Sequence, residues 1–283
     1  MSDILVVRTV TDLREAIAEK RKEGKAVALT PTMGNLHIGH ISLAKTARDH
    51  ADVVCATIFV NPKQFGENED FGSYPRTFEN DKKLLAEAGV EILYAPTVDA
   101  MYPDGFSTNV SVTTISQGLC GDDRPGHFDG VCTVVTKLLL QALPDVAVFG
   151  EKDFQQLMVI KQFTRDLDIP VKIIGSPTLR EDDGLAMSSR NGYLSAEERQ
   201  IAPSMQKIMQ ETIKLARNAD SYFEILEAAK AKIIEAGFNS VDYLEIREER
   251  DLTPAHKASG QAQRLFAAAH LGKARLIDNI PLV

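Results

Sequence analysis

Six histidines occur in the 283-residue chain, and two of them, His37 and His40, stand three apart in the stretch PTMGNLHIGH, between an apolar run and a helical one. At a helix start, residues three apart lie on one face. The orphan N–H groups and positive dipole end of that helix favour an anion, so two imidazoles there can donate hydrogen bonds to a phosphate. Gly34 and Gly39 let a ligand or a backbone approach closely. Two other uses of the pair stay open at this point. They can be a cap and a surface residue, or zinc ligands, although Asp49 and His50 are the only other ligands nearby and their spacing suits a closed zinc site poorly.

Two further groups carry chemistry. After the apolar run DVAVFG, residues Gly150, Glu151, Lys152 and Asp153 open the next helical stretch. Lys152 is a compact cation suited to phosphate oxygens, Asp153 has the residue type of a cap, and Gln156, one turn on, either reaches the same crevice or faces solvent. In LREDDGLAMSSRN, Ser188, Ser189 and Arg190 supply two hydroxyls and a guanidinium fork between Gly184 and Gly192. That is either a mobile cationic lid over a polyphosphate or an ordinary polar linker.

The elements needed to position these groups are legible. AVALTPTM (26–33) and DVVCATIFV (52–60) are short, apolar and β-branched, and GHISLAKTARDHA between them has helical spacing, which makes a βαβ unit. Helical RTFENDKKLLAEAG, GVCTVVTKLLLQAL and KDFQQLMVIKQFTRDL lead in the same way to VEILYAP, DVAVFG and VKIIGSP. Near-continuous apolar strands alternating with helices imply a parallel sheet covered on both faces, with ligands at the carboxyl ends of its strands. From there the grammar changes to long amphipathic helices over 196–218 and 221–237, then strand-like runs over 241–249 and 263–280, the last with Gly272-Lys273 at a hairpin turn. The predicted fold class is α/β: a Rossmann-like domain over residues 1–178 and a smaller C-terminal α+β lid domain over 179–283.

Composition narrows the setting. Hydrophobic residues make up 44% and charged ones 25%, and no apolar run approaches the roughly 18 residues of a membrane span. The N-terminus lacks a basic segment followed by a long apolar core, so a cytoplasmic location is expected. Cys55, Cys120 and Cys132 form no CxxC pair and are expected as reduced, mostly buried thiols. A net charge of −8 disfavours a large nucleic-acid surface.

Taken in order, HxGH after the first core strand and a Ser-Ser-Arg loop after the last resemble the HIGH and KMSKS signatures of the nucleotidyltransferase superfamily. PTMGNLHIGH, FVNPKQF, YPRT, RPGHFDGV, FGEKDFQQ and GLAMSSRNGYL together resemble the pantothenate synthetase (pantoate–β-alanine ligase) family, over nearly the whole chain. The resemblance implies condensation of (R)-pantoate with β-alanine at the expense of ATP, through pantoyl adenylate, to give pantothenate, AMP and pyrophosphate, in a homodimer. It implies that Met33, Gly34, Asn35, Leu36, His37, Ile38, Gly39 and His40 hold ATP, with His37 and His40 on the phosphates and His40 in the proton-donor place. Gly150, Glu151, Lys152 and Asp153 with Met187, Ser188, Ser189 and Arg190 would complete the nucleotide site, Lys152 and Arg190 on phosphates and Leu179 on the adenosine side through its main chain. Gln64 and Gln156 match pantoate-binding residues, and Gln64 also faces the β-alanine position. Mg2+ would accompany ATP; its protein ligands are not named by the pattern, and Asp81 is the first acid to inspect.

Two departures stand out. Ile38 replaces an acid common in the family, and its side chain is expected to point away from the ligand. Ala186 and Ser189 replace both lysines of the KMSKS pattern, which leaves the loop's charge on Arg190. That, the negative net charge and the lack of a further domain argue against a tRNA synthetase. Another adenylyl-transferring enzyme and a non-catalytic nucleotide sensor are the remaining alternatives.

Overall fold

Burial and backbone direction build the first layer. The computed structural model describes residues 4–66, 69 and 71–282. Six short strands, β1 (Leu5–Val7), β2 (Val27–Thr32), β3 (Val53–Ile58), β4 (Ile92–Tyr94), β5 (Val146–Gly150) and β6 (Lys172–Ser176), form one sheet in the order β1-β4-β3-β2-β5-β6. Every pairing in it is parallel. β3, Val-Val-Cys-Ala-Thr-Ile, is buried along almost its whole length, as a strand covered on both faces must be. Helices α1 (Val10–Lys22), α2 (Ile38–Arg48), α3 (Phe78–Glu87), α4 (Val98–Met101), α5 (Cys120–Asp123), α6 (His127–Ala142) and α7 (Phe154–Asp166) intervene. One core of this part joins Ala28, Val54, Leu93 and Val148 of the strands with Leu43, Ala47 and Leu85 of α2 and α3.

The strand order has a functional consequence. From β2 the chain steps outward through β3 and β4, then returns to the other side of β2 as β5 and β6. The reversal lies between β2 and β5, and ligands of such sheets gather at the carboxyl ends beside it. HxGH follows β2 and GEKD follows β5.

The chain falls into two compact units. The first takes residues up to Ser116 with Arg124–Glu151 and Gln156–Pro177; the second takes Gln117–Asp123, Lys152–Gln155 and residues from Thr178 on. Two segments within 1–178 thus pack with the second unit. Specific ties hold them there: the buried Gln155 carboxamide accepts from Cys120 N–H at 3.0 Å and donates to Gly118 C=O at 3.0 Å, and Asn279 Nδ2 donates to Lys152 C=O at 2.8 Å.

In the second unit, α8 (Ala196–Ile201), α9 (Pro203–Ala216) and α10 (Phe223–Glu235) cover an antiparallel sheet of β7 (Ser240–Glu248), β8 (Gln263–Leu271) and β9 (Ala274–Pro281). The helix expected over 196–218 is two helices, because Pro203, with no N–H to give, starts the second. The hairpin turn falls at Gly272-Lys273 as the sequence predicts, with Gly272 left-handed at φ 55°. β1 and α1 escaped the sequence pattern, since β1 is a three-residue edge strand and α1 is largely exposed. All three cysteines are free and buried. Burial pushes the Cys55 and Cys132 thiols up to about 12. Among the described residues, no helix is long and apolar enough to cross a membrane.

Candidate active site

The HxGH loop is set before any ligand arrives. Gly34 and Asn35 are consecutive left-handed residues, at φ 84° and 51°, a conformation glycine takes freely and asparagine tolerates. It turns successive N–H groups to one side, and Asp81 of α3, only 1% exposed, fills that concavity. Its carboxylate accepts from Asn35 N–H at 2.9 Å, Leu36 N–H at 2.8 Å and the Thr77 hydroxyl at 3.0 Å. A Cβ at Gly34 would lie 3.1 Å from Asp81 Oδ2 and 3.2 Å from Ile58, so the approach needs glycine. Leu36 contributes its side chain to the core.

His37 is the N-cap of α2. Its Nδ1 accepts from Gly39 N–H at 3.1 Å, and His40 Nδ1 accepts from His37 N–H at 3.4 Å, the rings lying 4.1 Å apart. A backbone N–H can only donate, so each neutral imidazole must carry its proton on Nε2. The helix start therefore fixes both side chains as Nε2–H donors. Capping and ligand binding are compatible here, since they use opposite edges of the ring. Zinc has no such support: among the described residues no three His, Cys, Asp or Glu converge. Ile38 is 57% exposed at the first position of α2.

Gln64 ends a short 3₁₀ turn, Pro62–Gln64, capped by the Asn61 side chain. Gln64 Nε2 donates to Met33 Sδ at 3.1 Å, and its Oε1 accepts from Asn61 Nδ2 at 3.1 Å. Thus Met33 and Gln64, from separate motifs, are neighbours. The RPGHFDGV motif holds the turn from behind: His127 Nδ1 donates to Gln64 C=O at 2.8 Å, while Arg124 meets His127 Nε2 at 3.0 Å and pairs with both oxygens of Glu69 at 2.6 Å. Burial raises the Glu69 carboxyl, but the Arg124 hydrogen bonds and charge outweigh it, and the net position is below the ordinary carboxylate value. Gln156 is half-buried in the first turn of α7.

The second unit gathers its own polar set. Lys152, its side chain 19% exposed, and Ser188 line one small cleft with Asn191, Gln206 and Asp278. Ser188 caps the 3₁₀ turn Ser189–Tyr193 by accepting from Arg190 N–H at 3.2 Å. A tight ribbon precedes it: Met187 N–H donates to Leu179 C=O at 3.0 Å, and Arg180 forks onto Asp278 at 2.6 and 2.8 Å. Asp153 lies in the turn before α7, its carboxylate 4.0 Å from Lys152 Nζ. Gly150 and Glu151 remain with the first unit at the end of β5.

Comparison with known proteins shows the family. The family model for pantoate-beta-alanine ligase matches residues 5–281. The chain belongs to the pantoate–β-alanine ligase family. It is 55% identical over 275 residues to the pantothenate synthetase of Paramagnetospirillum magneticum, covering 97% of this chain and 96% of that one. The crystal structure of pantothenate synthetase from Thermus thermophilus is similar at TM-score 0.91 and 43% identity, with 99% of each chain covered. That of the Francisella tularensis pantoate-beta-alanine ligase, complexed with beta-gamma ATP and beta-alanine, is similar at TM-score 0.83 and 36% identity, covering 99% of this chain and 98% of that one.

Within this ligase, several site-building residues had not been singled out individually from sequence. Asn61, 1% exposed, also donates to Gly130 C=O at 3.1 Å and accepts from the Tyr102 hydroxyl at 2.7 Å. Gly130 lets α6 touch the Gln64 turn, where a Cβ would fall 2.2 Å from Lys63 O. A glycine inside a helical pattern was the available signal. Asp81, the first acid to inspect for Mg2+, uses both its oxygens to accept from the HxGH loop and Thr77. Among the described residues no three His, Cys, Asp or Glu side chains converge, and a nucleotide-borne Mg2+ needs only one or two carboxylates beside the phosphates.

Proposed function

We propose that this ligase condenses (R)-pantoate with β-alanine, using ATP, to give pantothenate, AMP and pyrophosphate. A carboxylate oxygen of pantoate attacks the α-phosphorus of ATP, and the bond from that phosphorus to its bridging oxygen breaks, releasing pyrophosphate. The β-alanine amine then attacks the acyl carbon of pantoyl adenylate. A C–N bond forms, the C–O bond to AMP breaks, and the amine gives up a proton. Such chemistry needs positioning and charge stabilisation more than a protein nucleophile.

What carries the assignment is the pair of Nε2–H donors that the capping of α2 fixes at the carboxyl end of β2, beside the strand reversal, in a chain of this family. His37 and His40 donate to phosphate oxygens, and His40 serves as proton donor. Met33 to His40, Gly150 and Glu151 form the nucleotide side of the first unit; Lys152, Asp153, Leu179 and Met187 to Arg190 are the second unit's contribution, with Lys152 and Arg190 as the phosphate cations. Gln64 and Gln156 bind pantoate. Mg2+ bound with the nucleotide would supply charge neutralisation of the pyrophosphate that leaves. Residues 1–178, apart from the segments Gln117–Asp123 and Lys152–Gln155 that belong to the second unit, act as the nucleotide- and pantoate-binding domain and 179–283 as the lid, in a cytoplasmic homodimer.

The test is AMP and pyrophosphate release from purified protein with Mg-ATP and pantoate, β-alanine or both. AMP accumulating only with both acids, with pantoate alone supporting pyrophosphate exchange, is the expected result. ATP binding without either product would leave a nucleotide sensor in its place.

A further inference from the structure

The Gln64 carboxamide is held in one of its two orientations by groups that cannot exchange roles. Gly130 C=O can only accept, so the end of Asn61 that meets it at 3.1 Å must be Nδ2. Lys63 N–H can only donate, so the end that meets it at 3.3 Å must be Oδ1. The second Nδ2 proton then points to Gln64 Oε1, 3.1 Å away. Gln64 is left with its amino group outward, resting on Met33 Sδ, a weak acceptor that an oxygen of an anionic ligand would outcompete.

Tyr102 supplies the shortest contact in this chain of bonds, 2.7 Å from its hydroxyl to Asn61 Oδ1. The ring itself is braced by Phe106 at 5.1 Å and Phe59 at 6.1 Å, with Lys63 Nζ 5.3 Å above it. Burial raises the Tyr102 hydroxyl above its ordinary value, so it remains a donor at any working pH. Asn61 is 1% exposed, and water cannot readily replace a lost partner there.

We propose that Tyr102 is a positioning residue that, through Asn61, fixes the Gln64 amide as a hydrogen-bond donor toward the oxygens of the acid substrate. This rests on Gln64 binding pantoate. Without the hydroxyl, Asn61 Oδ1 keeps only the 3.3 Å bond from Lys63 N–H, so Asn61 is held less firmly in the orientation that Gly130 and Lys63 dictate, and the Gln64 amide loses its fixed donor geometry toward an anion.

The test is steady-state kinetics of Tyr102→Phe, which keeps the ring, with Gln64→Ala and the double variant alongside and thermal melts for folding. The expected result is a rise in pantoate KM of about fivefold to thirtyfold, the range for one lost hydrogen bond and a partly mispaired amide, with kcat and ATP KM within about twofold. In the Gln64→Ala background Tyr102→Phe should add less than about 1.5-fold, since the amide it orients is gone. Equal effects in both backgrounds, or an equal rise in ATP KM, would overturn the positioning role while leaving Gln64 as a pantoate ligand. A pantoate KM untouched by Gln64→Ala itself would refute the ligand assignment, and the relay with it. Should Tyr102→Phe not fold, Asn61→Asp puts an acceptor opposite Gln64 Oε1 and turns that amide over, because a carboxylate can only accept; it should raise pantoate KM at least as much, and an unchanged KM there would end the proposal.

Discussion

Asp81→Asn separates an internal brace from a metal ligand. The carboxylate accepts two backbone N–H bonds and one hydroxyl bond at 2.8 to 3.0 Å while 1% exposed. The amide keeps one acceptor oxygen and turns an NH2 group toward donors. At least one buried N–H of Asn35 or Leu36 then loses its partner, which costs about 1–3 kcal/mol, and the bonds that survive lose their charge assistance. We expect a total of about 3 kcal/mol. For a folding unit of roughly 150–250 residues, that lowers the midpoint of thermal unfolding by about 6–12 °C. The assay is calorimetry of the ligand-free protein in EDTA, followed by pyrophosphate exchange across a magnesium titration. A brace predicts the full loss with no metal or nucleotide present, and an exchange rate that added magnesium does not restore. A midpoint within about 2 °C of the parent, with exchange rescued by high magnesium, would refute the reasoning and return Asp81 to the metal.

Other expectations follow from the same geometry. His40→Ala should lower the pyrophosphate exchange rate by about 100-fold to 1,000-fold, the usual loss for one transition-state donor; a loss under about threefold would remove His40 from the chemistry. Gly130→Ala places a Cβ where Lys63 O now sits at 2.2 Å, so pantoate KM should rise at least about tenfold as the Gln64 turn is pushed off α6, and normal kinetics would show that the approach is not needed. Cys55 and Cys132, buried with thiols raised to about 12, should resist a disulfide reagent at pH 8 in the folded protein and react only on unfolding. The Glu69 carboxyl sits below its ordinary value of 4.5, so the stabilisation from its Arg124 pair is present above that value and lost as pH falls below it. Glu69→Gln should therefore be less stable than the parent at neutral pH, and the gap should close in acid; a gap that widened in acid would contradict the pairing.

What the sequence made legible was local or periodic. The parallel sheet could be read because β2, β3 and β5 are largely buried and carry near-continuous apolar runs. The histidine pair could be read because three-residue spacing at a helix start has a geometric meaning. Contacts across long stretches of chain were another matter. Tyr102 meets Asn61 over 41 positions and Asn61 meets Gly130 over 69, and nothing in the composition of MYPDG or GHFDGV pairs them. Asp81 left a faint signal: it shares a helix face with Leu85, one turn on, and both are buried. A carboxylate on the apolar face of a helix is more economically explained by backbone donors opposite it than by a metal, since burial of a charge demands hydrogen bonds.

The histidines resolve a choice that residue types alone could not make. A cap needs an acceptor and a phosphate needs a donor, and a neutral imidazole offers one of each on opposite edges. Because His37 and His40 spend Nδ1 on the N–H groups of Gly39 and His37, the fold of α2 determines which edge can donate. Loosening that helix start would do more than displace the rings: it would free the tautomer and let either histidine present a lone pair to an anion. On the proposed function, the order of the first turn of α2 is part of the site's chemistry, and the capping geometry gives a reason for two histidines three apart where a single one could supply a phosphate contact.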